Sequence, residues 1–530
     1  MASLSGRPRR PAIAFIGFMG AGKTRAARGA AAVLGEGAVD VDAEIERELG
    51  KPVARVFAED GEARFREVEE MVAVHALKEG GLVSLGGGAV ESERVREALA
   101  AAYCVWCRIE EEAAWRRCEG TERPLVRDRG AFSDRFAARA PLYASLADAV
   151  LTDGGERVGR RAATWLRGAA GLRARLAWAG STSGEYPAIV GDGALGLLEY
   201  AERPTSRAPA PTAGRSSPSR WFCVADPGAL AHQRSRLPAV EATIEAGGDE
   251  ALKTLAEAER VLRALARKGA RRDDGVLAFG GGVVGDLAGF CAATYQRGVP
   301  VVQAPTTLVA QVDSAYGGKT GVDLPEARNY AGAYHMPSAV LVEPGALSTL
   351  PAAELAAGFA EVLKTALIAG GGLWERVSAM ESLDAAALGE VVFDCARTKI
   401  DIVASDERDS DRRQVLNLGH TIGHSIEAAS GYGRYRHGEA VALGLLAALG
   451  LSGAGELRSR SKEILGRVGL PTALDPAVST DDVMAALRRD KKSDAEGVPF
   501  VLLERPGEPV IGARLDEGMV RSAVEELRTS

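Results

Sequence analysis

Ala12-Ile-Ala-Phe-Ile-Gly17-Phe-Met-Gly20-Ala-Gly22-Lys23-Thr24 runs from an apolar, strand-like segment through a glycine-rich turn into an Ala/Arg-rich segment of helical composition. Strand, loop and helix in that order are the context a phosphate-binding loop requires. Glycines at 17, 20 and 22 let backbone N–H groups close around phosphates, Lys23 reaches the β/γ oxygens, and the Thr24 hydroxyl faces Mg²⁺. The competing reading is a glycine-rich turn matching by chance, which the flanking strand and helix disfavour. Working outward, the short apolar runs Gly81 to Leu85 and Ala102 to Cys107 alternate with longer charged stretches of helical period. The pattern predicts an α/β unit with a parallel sheet.

At 530 residues the chain exceeds one hydrophobic core and should divide into about three to four domain-sized units. The reading places the first unit at 1–168 and a linker of small residues at 169–185. An α/β unit follows at 186–350, and a predominantly helical unit at 351–530. Tyr186 to Val190 and Trp221 to Ala225 read as strands of that second α/β unit, and the Pro/Ser-rich stretch 204–219 as an insertion between them. Six cysteines are scattered, and Cys104-Val-Trp-Cys107 lies in an apolar run with no second ligand pair, so core packing is expected there. A net charge of -7 argues against nonspecific nucleic-acid binding. No apolar run reaches the roughly 18 residues that span a bilayer, and the N-terminus has no signal-like apolar core. No nucleic-acid or membrane partner and a cytoplasmic location are therefore expected.

Three features carry chemistry beyond the first loop. Val39-Asp40-Val41-Asp42 puts two carboxylates at a strand end, one for Mg²⁺ and one to accept a hydroxyl proton; Arg66 and Arg139 suit a carboxylated acceptor, because the guanidinium fork pairs a carboxylate bidentately. Ala278-Phe-Gly280-Gly281-Gly282-Val-Val-Gly285-Asp286 again places glycines between a strand and a helix, where a dinucleotide pyrophosphate can approach backbone amides. Finally, three of only six histidines, His420, His424 and His437, fall within eighteen positions. Helical spacing alone nominates His420 and His424 as a metal pair, and Glu361, beside Lys364 at i, i+3, completes a three-ligand set with an open position.

The segment from Gly17 to about Asp153 resembles shikimate kinase. On that resemblance Asp40 joins Thr24 at Mg²⁺, and Asp42 orients or deprotonates the acceptor hydroxyl. Arg66, Gly87, Gly88 and Arg139 hold shikimate, and Arg123 stabilises the transferring phosphoryl group of ATP. Arg117, or its neighbour Arg116, lies against adenine. Gluconate kinases share the loop, but Gly86-Gly87-Gly88 and the paired arginines favour shikimate.

The remainder, from Tyr186 to Lys491-Lys492, resembles 3-dehydroquinate synthase. The resemblance implies Zn²⁺ (Co²⁺ as an alternative) on Glu361, His420 and His437, and it moves His424 from ligand to substrate contact. It implies NAD held by Asp226, Glu250, Lys253, Gly281, Gly282, Gly285, Asp286, Thr306, Thr307, Asp313, Lys319, Arg328 and Thr349. Arg297, Lys319, Asn329, Lys364, Lys399, Arg413, Asn417, His424 and Lys492 (or Lys491) would meet a heptulosonate phosphate, with Lys319, Lys364 and His424 in the chemistry. The implied reaction is a transient oxidation by NAD⁺, phosphate elimination, return of the hydride and intramolecular aldol closure. A homodimer through the C-terminal half is also expected. Departures from the family pattern are Arg328 where Lys is usual, Ala315-Tyr316 for a small/aliphatic pair, Glu343 where Asp is common, and the 204–219 insertion. Two other readings are a related sugar-phosphate cyclase in the second half and a nucleotide-binding regulatory module in the first.

Overall fold

The computed structural model describes residues 11–121, 126, 128–201, 220–408, 411–489 and 498–528. Two compact units emerge. The first holds the described residues up to Ala179 together with Pro187–Tyr200, and the second holds Gly180–Tyr186 and the described residues from Ala201 onward. Arg123, Lys491, Lys492 and the 204–219 insertion lie outside the described residues.

The first unit is a parallel sheet built from β1 (Ile13–Ile16), β2 (Ala38–Asp40), β3 (Leu82–Ser84), β4 (Tyr103–Cys107), β5 (Ala149–Leu151) and β6 (Arg175–Gly180), with β7 (Glu185–Val190) at the β6 side. Its order is β2-β3-β1-β4-β5-β6, and the paired strands from β2 to β6 run parallel. Near-continuous apolar runs such as Ile13-Ala-Phe-Ile16, fully buried, are what a sheet covered on both faces demands. Cys104 and Cys107 are buried in β4, and burial pushes both thiols up to about 12, so they pack as core residues rather than as redox or metal groups.

The loop after β1 leads directly into helix Lys23–Leu34. Gly22, at φ +82°, sits where an added Cβ would lie 2.3 Å from the Gly154 carbonyl oxygen, so only glycine fits.

Residues 169–185 do not form the expected linker. Helix Glu156–Leu172 runs on through Gly168-Ala-Ala-Gly-Leu172, and β6 follows after a two-residue break. Ala and Gly are small because this helix is packed, with Ala162, Ala163, Ala169 and Ala170 buried, not because the chain is loose. The strand at 186–190 was expected to share a unit with Trp221–Ala225; instead Pro187–Val190 belongs with the first unit.

The second unit contains a parallel sheet of β8 (Trp221–Ala225), β9 (Ala242–Glu245), β10 (Gly275–Gly280), β11 (Val301–Pro305) and, after the antiparallel hairpin β12 (Lys319–Leu324) and β13 (Ala327–Tyr334), β14 (Ala339–Val342). The order is β14-β11-β10-β8-β9. From Ala352 the elements among the described residues are helical, as expected, except for a hairpin of β15 (Phe500–Leu503) and β16 (Pro509–Ala513) joined across a Pro-Gly turn.

Three of these helices, Ala352–Ala369, His420–Ala429 and His437–Leu451, carry Glu361, His420 and His437. Their close approach depends on Gly438, where an added Cβ would sit 1.8 Å from the Ala357 carbonyl oxygen. Gly438→Ala should therefore force the His437 helix off the Glu361 helix. We expect a loss of about 1–3 kcal/mol, read as a lower midpoint in thermal or denaturant unfolding of the whole chain.

Candidate active sites

In the first unit the phosphate loop is closed on itself by Lys23, whose Nζ donates to the Phe18 carbonyl at 3.1 Å. The Thr24 hydroxyl lies 3.1 Å from Ser84 Oγ at the end of β3. Asp40 ends β2, and Asp42 is exposed in the first turn of helix Val41–Leu49. Arg117 Nη1 donates to the Gly20 carbonyl at 3.3 Å, which puts Arg117 at the loop, while Arg116 turns back to its own helix at Glu112.

Beside the loop, Arg66 Nη1 donates to Glu69 Oε2 at 2.6 Å, and Arg139 grips Glu91. Glu69 is buried; burial raises its carboxyl above the usual range, with Arg66 opposing and Asp42 adding to the rise. The Tyr143 hydroxyl donates to the Gly87 carbonyl and fixes the glycine turn. Arg66 lies against Gly88, and the Asp42 carboxylate lies against Gly86; Glu69 and Glu91, which pair with Arg66 and Arg139, are neighbours that sequence reasoning missed. Glu69 had a signal, its i+3 spacing from Arg66; Glu91 had none.

In the second unit the glycine loop ends β10, and Gly281 caps helix Gly282–Thr294. Thr306 and Thr307 follow β11, with the Thr306 amide donating to the Gly280 carbonyl at 2.9 Å. The carboxyl edge of a parallel sheet with a glycine-rich helix N-terminus suits a dinucleotide pyrophosphate. Lys253, buried, is a hub: its ammonium lies 2.8 Å from Glu250, 3.4 Å from Asp286 and 3.9 Å from Asp323, and donates to Asn329 Oδ1 at 2.8 Å. Burial pushes the Asp286 carboxyl up to about 7 against the pull of Lys253. Asp226 caps helix Pro227–Gln233, and Gln233, unforeseen, donates to Thr349 Oγ1 at 2.6 Å.

The metal candidates converge. His420 Nδ1 faces the Leu418 carbonyl at 3.2 Å and His437 Nδ1 faces Glu427 Oε2 at 3.2 Å, so each Nε2 is left for another partner. Both point at one atom: Glu361 Oε1 lies 3.3 Å from His420 Nε2 and 3.4 Å from His437 Nε2. With ligand bonds near 2.0–2.2 Å, the edge of a tetrahedron around zinc is about 3.3–3.6 Å, so these two separations fit two edges of one coordination shell. Nitrogens of His420, His424 and His437 all lie within 4.8 Å of one another, but His424 is exposed and sits at the open side. Burial lowers the His437 pKa, yet hydrogen bonds to Glu361 and Glu427 outweigh it and raise it to about 10, whereas burial and then Lys364 hold the His420 pKa below its usual value.

The buried network continues outward. Lys364 pairs with Glu361 and stays charged, because Glu361 and Asp313 outweigh its burial. Asp313 accepts from Lys399 at 2.7 Å, and the two lysines overcome burial to hold its carboxyl down at about 2. Arg328 reaches Glu427 at 3.4 Å and stacks 4.1 Å over the Tyr432 ring. Arg413 is buried, donating to the Glu407 carbonyl at 2.6 Å, and Asn417 ends the turn that leads to His420. Lys319 opens β12 and is exposed, as is Arg297, which makes no ion pair among the described residues.

The comparisons with known proteins agree with both halves. The family model for the 3-dehydroquinate synthase N-terminal region matches residues 243–357, and the one for its C-terminal region matches 358–493. A 3-dehydroquinate synthase of Symbiobacterium thermophilum is 42% identical over 306 residues, covering 56% of this chain and 85% of that protein. The chain belongs to the 3-dehydroquinate synthase family. Ahead of that synthase part, the shikimate kinase model matches residues 19–167, so a kinase domain is fused to its N-terminal side. Among solved structures, 2-epi-5-epi-valiolone synthase from Streptomyces hygroscopicus subsp. jinggangensis, with NAD⁺ and Zn²⁺ bound, is 27% identical with a TM-score of 0.54, covering 58% of this chain and 90% of that one. A 2-deoxy-scyllo-inosose synthase complexed with carbaglucose-6-phosphate, NAD⁺ and Co²⁺ shares the fold at 22% identity and a TM-score of 0.57, covering 66% and 99%.

For the synthase part, Glu427 is the residue sequence reasoning overlooked, although it lies one helical turn past His424 on the face of His420. A carboxylate on the outer nitrogen of a metal-binding imidazole fixes its tautomer. Metal analysis separates the roles: His437→Ala should lose zinc, His424→Ala should retain it, and Glu427→Gln should weaken zinc affinity by about 10- to 100-fold in competition with a chelator.

Proposed function

We propose that this chain catalyses two reactions of aromatic biosynthesis: ATP-dependent phosphorylation of shikimate to shikimate 3-phosphate, and conversion of 3-deoxy-arabino-heptulosonate 7-phosphate to 3-dehydroquinate with release of phosphate. The observation that supports it best is the presence of two separate and complete residue sets, one around the Gly17–Thr24 loop and one around Glu361.

In the kinase half, Lys23 and the loop amides would cradle the phosphates of ATP, with Thr24 and Asp40 at Mg²⁺. Arg117 would lie against the nucleotide, a role its contact with the loop at Gly20 supports over Arg116. Asp42 would take the proton of the acceptor hydroxyl, Arg66 and Arg139 would hold the acceptor carboxylate beside Gly87 and Gly88, and Arg123 would close on the transferring group.

In the synthase half, bound NAD⁺ would supply a reversible hydride acceptor, and zinc on Glu361, His420 and His437 a Lewis acid at the substrate oxygen. Asp226, Glu250, Lys253, Asp286, Thr306, Thr307, Lys319, Arg328 and Thr349 would position the dinucleotide at the glycine loop. The buried cations Lys364 and Lys399, paired on Asp313, and the buried Arg413 would bind a doubly anionic substrate. Arg297, Asn329, Asn417, His424 and Lys492 would complete its contacts. Lys399, whose pKa burial lowers, can exchange a proton more readily than an exposed lysine. The six cysteines, all buried and none in a disulfide, suit a cytoplasmic location. No helix among the described residues is long and apolar enough to cross a membrane. A homodimer through the synthase half is part of the proposal and rests on the family resemblance.

The solved cyclases that share the fold favour one further reading, a synthase half acting on a different heptulose phosphate; phosphate release measured across a substrate panel decides it. For the chain as a whole, intact protein should phosphorylate shikimate with MgATP and release phosphate from the heptulosonate with NAD⁺. Lys23→Ala should reduce the first activity by about 10²- to 10³-fold and leave the second in place. Wild-type protein that releases phosphate but never phosphorylates shikimate would remove the kinase assignment and leave a nucleotide-binding module.

A further inference from the structure

The seat for the acceptor carboxylate already holds one. Arg139 Nε donates to Glu91 Oε1 at 3.0 Å and Nη2 to Glu91 Oε2 at 2.8 Å, the fork-to-fork geometry that an external carboxylate would adopt. The partners differ in exposure. The Arg139 side chain, on helix Arg129–Leu146, is only 4% exposed, whereas that of Glu91 is 46% exposed. The Glu91 backbone is pinned, since its amide donates to the Gly88 carbonyl at 2.9 Å and its carbonyl accepts from Arg96 Nη1 at 2.7 Å. Its carboxylate can therefore rotate into solvent while the arginine stays, and no backbone movement is needed. The other internal pair lacks this freedom: Glu69, on Arg66, is buried with a side-chain exposure of 3%.

We propose that Glu91 determines acceptor specificity in the kinase half by occupying the carboxylate seat of Arg139 until an anionic acceptor displaces it. The inference rests on the shikimate reading given above. Binding then becomes an exchange of one carboxylate for another on a single guanidinium. The acceptor gains little net Coulomb energy at this point, and its affinity is weakened by the worth of the pair it breaks. An acceptor without a carboxylate cannot make the exchange and leaves Glu91 in place, so the device discriminates against neutral polyols.

The test uses the intact chain with Glu91→Gln and Glu91→Ala, shikimate binding by calorimetry, and initial rates with MgATP. If Glu91 competes, both variants bind shikimate more tightly and its KM falls by roughly three- to ten-fold, with the KM for MgATP unmoved. If Glu91 instead supports Arg139, shikimate binds the variants equally or more weakly and its KM is unchanged or raised; that result overturns the proposal while leaving the kinase reading intact. If shikimate binds neither wild type nor variants, the kinase reading and the proposal fall together. Should Glu91→Ala fail to fold, as judged by its melting curve, Glu91→Gln decides, because it keeps the shape and removes only the charge.

Discussion

A carboxylate buried to 1% exposure between a lysine and two imidazoles is the constraint on which the synthase half is built. Removing a charge from water costs several kcal/mol unless partners replace the solvent, so Glu361 can exist where it does only with Lys364, His420 and His437 in place. Each partner is itself held. Lys364 shares Asp313 with Lys399, His437 leans on Glu427, and Glu427 reaches Arg328. The result is one continuous run of alternating charge from Arg328, at the expected dinucleotide side, to Lys399, at the expected substrate side. Such a run would hold the residues proposed for metal, dinucleotide and substrate in place before any of them binds, which is the form of preorganisation that electrostatic catalysis needs.

Packing makes the convergence possible. The three side chains come from three helices, two of them consecutive in the chain and the third about fifty residues earlier, and small residues at their crossings, Gly438 above all, allow the backbones to approach until each Nε2 lies 3.3–3.4 Å from Glu361 Oε1. The kinase half follows a related logic with a different donor set. Its donor set is a glycine-rich loop that ends on Lys23 and Thr24, and the glycines of the turn after β1 are held against β4 and the Gly154 turn. The two arginines proposed to hold the acceptor, Arg66 and Arg139, each pair with a carboxylate of the chain itself.

Much of the fold was legible in the sequence because parallel strands buried on both faces are short apolar runs. Trp221 to Ala225 was read as a strand with its observed boundaries, and the helical region does begin at Ala352. The linker at 169–185 was misread because Gly and Ala signal a loose chain in composition but a tight helix contact in three dimensions. The hairpin at 500–513 was missed as a short alternation inside a helical region. Site residues were legible where chemistry demands a rare type: histidines, loop glycines, an Asp pair. Helical spacing chose His424 as a ligand, yet it is His437, on a different helix, that shares Glu361 with His420. Glu91 and Arg139 are 48 positions apart, and no local pattern joins them.

The central claim is that Glu361 and two imidazoles form one metal seat, with His424 outside it. X-ray absorption at the zinc edge of the metal-loaded, substrate-free chain tests this most directly. The account predicts a nitrogen and oxygen shell near ~2.0 Å in which the imidazole scattering corresponds to two histidines, unchanged in His424→Ala. A shell of three imidazoles that falls to two in His424→Ala would contradict it.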